Sequence, residues 1–102
     1  MKGGRRMIVG EYRLGGLTFK AVHRAGVVRD ERVFGRINWV TQEIEIDPDL
    51  HIDQQEETLL RGIIECVNDA HDLGLAHSAI KNLAHSLHNI LKTNKIYFGG
   101  YK

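Results

Sequence analysis

The side chains with chemistry to offer are six histidines, one cysteine and a set of carboxylates among 102 residues. Imidazole is a common metal ligand, so the histidine count raises a metal site first. Spacing places His77, His85 and His88 on one flank of a C-terminal helix, where His85 and His88, at i and i+3, would reach a common ion. Glu65 with one or more of His71, His77, His85 and His88 would make a rearranged hydrolytic metal centre. Lys81 lies beside the same flank and repels a cation, and imidazoles hold metal only where orienting partners and further ligands converge. The favoured reading is a solvated polar flank. His23, His51 and His71 stand isolated in sequence, and His71 suits a helix C-terminus, where the dipole favours its charged form. Cys66 as a nucleophile would need a base beside it, but His71, five residues on, falls on another helical face. A buried, inert thiol is expected instead.

Two groups suit recognition. Trp39, with Val40, sits at the tip of a predicted hairpin, either packed against the helices or exposed as an interface anchor, a role in which Trp is enriched. The tail residues Tyr97, Phe98 and Tyr101 would pack on the sheet, extend an edge or hold a partner.

The elements that must position these groups divide near residue 50. Residues 7–14 and 17–22 read as strands around Gly15-Gly16, and 33–39 and 43–47 as a hairpin through Val40-Thr41-Gln42. Ile44 and Ile46 share one face of the last strand and Glu43, Glu45 and Asp47 the other; Pro48 ends the ladder. Residues 27–31 read as a loop or strand end. A helix then opens on a capping box, Asp53 and Glu56, with Leu59, Leu60, Ile63, Ile64 and Val67 as its apolar stripe and Gly74 as a left-handed stop. A second helix carries Ile80, Leu83, Ala84, Leu87, Ile90 and Leu91, with Ile80, Leu83 and Leu87 expected on its core face, and frays near Thr93-Asn94. The expected fold is α+β: a small antiparallel sheet of three to four strands packed on two main helices, one domain over 1–94 and an aromatic, glycine-rich tail over 95–102.

A net charge of +1 argues against nucleic acid as a partner held by charge. The basic residues nevertheless crowd the first third and the acids the middle, an asymmetry that suits an oriented protein partner or head-to-tail self-association. No apolar run approaches the roughly 20 residues of a membrane span, no secretory signal pattern follows the N-terminal basic residues, and a lone cysteine fits a reducing cytoplasm.

Several strings together carry a family likeness: Gly35-Arg36-Ile37-Asn38, Gln42 to Asp47, Glu57 to Val67, and Gly74-Leu75-Ala76 running on to Leu83-Ala84-His85-Ser86-Leu87. Through them, over about residues 10 to 94, the chain resembles the small zincin-like metallopeptidase proteins of phages and mobile elements, relatives of the ImmA/IrrE group. The likeness implies a minimal zincin scaffold whose first helix should carry His-Glu-x-x-His, two histidines on one face for zinc and a glutamate as general base. Those places hold Arg61, Gly62 and Glu65. Arginine cannot ligate a metal, glycine cannot take a proton, and one carboxylate does not make a zinc site. The expectation is a degenerate scaffold without enzymatic activity, cofactor or metal, in which Arg61 and Glu65 pair and plug the former cleft. It would act in the cytoplasm of a bacterial host by binding another protein, a host factor or phage component, with a homo-oligomer possible. The alternatives are a metallohydrolase with a rearranged site and a phage structural or assembly protein.

Overall fold

The computed structural model describes residues 10–14, 16–26 and 35–96, and all structural statements below concern those residues. Four strands, β1 (Gly10–Leu14), β2 (Leu17–His23), β3 (Gly35–Asn38) and β4 (Glu43–Ile46), precede two helices, α1 (Ile52–Ala70) and α2 (His77–Asn94). The α+β expectation therefore holds, with one change in the sheet. The strand order is β1-β2-β4-β3, and the central pair β2–β4 is parallel, so the sheet is mixed. Each local hairpin is antiparallel as expected: Leu14 pairs with Leu17 across positions 15 and 16, and Asn38 with Glu43 across a four-residue loop. The parallel contact joins two hairpins that are distant in the chain, and no turn signal encodes it.

The pleat sorts the side chains. Phe19, Ala21, Ile44 and Ile46 face α1 and, with Cys66, form the buried core, flanked by Tyr12, Leu14, Ile37, Ile52 and Leu59. Glu45, register partner of Arg36 and Val22, points to the opposite face. It is nonetheless buried, because Arg36 Nε donates to its Oε1 at 2.6 Å and Arg24 to its Oε2 at 3.2 Å. The expected split of positive and negative regions is thus partly cancelled where Arg24 and Arg36 meet Glu43 and Glu45.

Close packing explains two glycines. A Cβ at Gly35 would overlap the Glu45 carbonyl oxygen and stand 2.7 Å from Thr58 Cγ2; one at Gly62 would stand 2.9 Å from Ile44 Cγ2. The helix consequently lies on the sheet along Gln55, Thr58, Gly62 and Cys66, which are buried. Of the expected apolar stripe, Leu59 joins the core, whereas Val67 is exposed.

Both ends of α1 differ from expectation. The N-cap is His51, whose Nδ1 accepts from the Asp53 amide at 3.2 Å. Asp53 lies in the first turn, where its charge suits the dipole, and is not the cap. Gln55 fixes this start by accepting from His23 and donating to the carbonyls of Pro48 and Leu50. At the other end the left-handed residue directly after the cap is Asp72 (φ 52°), with Leu73 donating to Asn68 O and Asp72 to Asp69 O. Gly74 (φ 70°) serves the following turn.

Candidate functional site

Arg61, Gly62 and Glu65, which the likeness sets where His-Glu-x-x-His would stand, lie on α1 beside β3. Arg61 Nε stands 4.0 Å from Glu65 Oε2, and an Arg61 Nη donates to Gly35 O at 3.5 Å. Gly62 turns toward the sheet, and a small void of about 20 Å³ is lined by Arg61, Gly62, Glu65, Gly35 and Ile44. That is room for one water at most. Gly62 here is explained by the approach of α1 to Ile44, a packing demand independent of any lost catalytic role.

The helix hairpin brings together charges that sequence spacing leaves apart. His88 Nε2 lies 2.8 Å from Glu56 Oε1, and His85 Nδ1 3.1 Å from Glu57 Oε1. The two histidines therefore have separate glutamate partners. His77 and His85 are exposed as expected, but His88 is turned into the seam with α1, which corrects its place on a solvated flank. His71 caps the end of α1. Among the described residues, Glu65 joins no group of three or more metal-ligating side chains. One group does gather ligand atoms: Asp53, Glu56 and His88, within 4.8 Å of one another. The Lys92 ammonium is already there, 3.1 Å from Glu56 and 3.7 Å from Asp53, and these carboxylates hold its pKa above the usual lysine value.

Cys66 is buried and free. Burial, then the charges of Glu65 and Asp69, pushes its thiol up to about 11, so it is protonated and poorly nucleophilic at neutral pH. Trp39 is partly packed, against β2 and not the helices of the expectation, and partly open. Its ring meets Phe19 edge-on at 5.8 Å and 89°, yet 48% of the residue is exposed beside Val40, which is 93% exposed. Tyr97, Phe98 and Tyr101 lie outside the described residues.

The largest departure is on α2. Ile80 and Ala84 are buried, but Leu83, Leu87 and Ile90 are 43%, 39% and 49% exposed. The expected core face of Ile80, Leu83 and Leu87 is therefore only half covered. The reason is geometric: α2 packs along α1 with the small Ala84 and the paired His88 in the seam, so its broad apolar arc extends past what one neighbouring helix can cover. On the other flank a cleft of about 350 Å³ opens between the helices, lined by Gln54, Glu57, Thr58, Arg61, Lys81, Ala84 and His85. Folding the hairpin about residues 71–76 would have placed Glu56 and Glu57 opposite His85 and His88, a signal available in the sequence. None of the described helices is long and apolar enough to cross a membrane. Comparison with protein-family models, curated proteins and solved structures finds no match to this chain.

Proposed function

We propose that this chain is a non-catalytic protein-binding module on a zincin-like scaffold from a phage or mobile element, working in the cytoplasm of a bacterial host. The observation that carries the binding role is the Leu83, Leu87 and Ile90 stripe, apolar at i, i+4 and i+7 and substantially open to solvent. Such a stripe is the usual docking line for an amphipathic helix. Arg61, Gly62 and Glu65 at the motif positions support the absence of zinc hydrolysis.

The charge of α2 lies away from the stripe. Residues 77–94 contain Lys81 and Lys92 and no Asp or Glu. Lys92 pairs with Glu56 and Asp53 of α1, and Lys81 lines the cleft on the opposite flank, so neither borders the stripe. The partner, a host factor or phage component, is expected to present an apolar helical face to the stripe. The test is capture from bacterial lysate with the full chain and with the triple variant Leu83→Ser, Leu87→Ser and Ile90→Ser. A stoichiometric protein held by the first and lost from the second supports the proposal. Retention by both, or concentration-dependent self-association through the stripe in place of capture, overturns it.

The metallohydrolase alternative has one supporting observation, the Asp53, Glu56 and His88 group. Stoichiometric zinc in protein purified without a histidine tag or chelator would favour it over the binding reading.

A further inference from the structure

We infer that the cleft between α1 and α2 binds a compact organic acid, with Arg61 and Lys81 receiving its carboxylate. This site lies on the flank of α2 away from the Leu83, Leu87 and Ile90 stripe and does not depend on the docking role proposed for it. The cavity, about 350 Å³, falls at the small end of the range of about 300–1,000 Å³ typical of ligand sites.

Its charges are unevenly matched. Glu57, the acid in the lining, is engaged by His85 at 3.1 Å. Lys81 has no ion-pair partner among the described residues. The Arg61 side chain is only 19% exposed, yet it is held by two long contacts, 3.5 Å to Gly35 O and 4.0 Å to Glu65. A guanidinium carries five donors in a fixed fork; the two that make these contacts reach Gly35 O and Glu65, which line the smaller void beside β3, and the others are uncommitted. Two cations and one carboxylate leave a formal single positive charge in the lining, which matches one carboxylate better than a doubly charged phosphate. Ala84 and the alkyl stems of Arg61 and Lys81 offer apolar wall to the body of the ligand.

The test is titration of the full chain, followed by nuclear magnetic resonance, with benzoate, its neutral isostere benzamide, and inorganic phosphate. Benzoate should saturate, with shifts concentrated at Thr58, Arg61, Lys81 and Ala84, and should bind at least about tenfold more tightly than benzamide. Arg61→Met should weaken benzoate binding about tenfold or more, and Arg61→Lys by less, because charge survives while the fork is lost. Exposed Lys81→Met should weaken it about threefold or more without touching the α1 packing. Equal binding of benzamide, tighter binding of phosphate, no saturation, or full affinity in folded Lys81→Met protein would each overturn the assignment.

Discussion

The two faces of α1 are built on different principles. Toward the sheet it packs through Thr58, Gly62 and Cys66 against Ile44 and its neighbours, with no space for a methyl group at Gly35 or Gly62. Toward α2 it presents Glu56 and Glu57 to His88 and His85, a cleft to one side and an uncovered apolar stripe to the other. The first interface spends its surface on stability, and dense packing makes it intolerant of change. The second leaves apolar and cationic groups uncommitted, and uncommitted groups are what binding requires.

That contrast can be broken by substitution. Gly35→Ala should have the largest effect, about 3 kcal/mol lost in urea denaturation, because its methyl meets the backbone of Glu45 as well as Thr58. A loss below about 0.5 kcal/mol would mean that the β3–α1 contact yields, and that the two faces are less different than described. Glu45→Gln should cost about 1–3 kcal/mol, since a buried carboxylate accepting from Arg24 and Arg36 is replaced by a weaker, partly donating amide.

Cys66 supplies a pH test of the tight interface. Its thiol titrates near 9.0 in an ordinary setting and at about 11 in the fold, so the unfolded chain ionises first as pH rises. Stability unaffected by this group below pH 9.0 should fall between there and about 11, by on the order of 2 kcal/mol. Tyr12 and Lys92 also titrate high, so the quantity to compare is the pH slope of the native chain against that of Cys66→Ala. Identical slopes would show that the thiol is not desolvated. At the loose interface, each serine at Leu83, Leu87 or Ile90 should cost about 1 kcal/mol, well below Gly35→Ala.

Much of this architecture is legible from residue patterns that act locally. Alternation gives the strands, Gly15-Gly16 and Val40-Thr41-Gln42 give the hairpins, and helical periodicity gives both helices to within a few residues. What escapes is non-local. The parallel β2–β4 pair depends on two hairpins meeting, and Glu45 looks solvated until Arg24 and Arg36 close over it. The start of α1 eludes the capping-box pattern because a histidine ring substitutes for the usual oxygen acceptor. The site is less legible than the fold. Arg61, Gly62 and Glu65 are found on sequence grounds, but the cleft that Arg61 shares with Lys81 exists only once the helices fold together. The α2 stripe reads as core because periodicity reports an apolar face without saying whether anything covers it.

The most direct test of the binding role is quantitative capture from bacterial lysate by the native chain and by the Leu83→Ser, Leu87→Ser, Ile90→Ser variant, with matched circular dichroism and melting curves. The account predicts a stoichiometric partner retained by the native chain and absent from an equally folded variant. An equally folded variant that keeps the partner would contradict it.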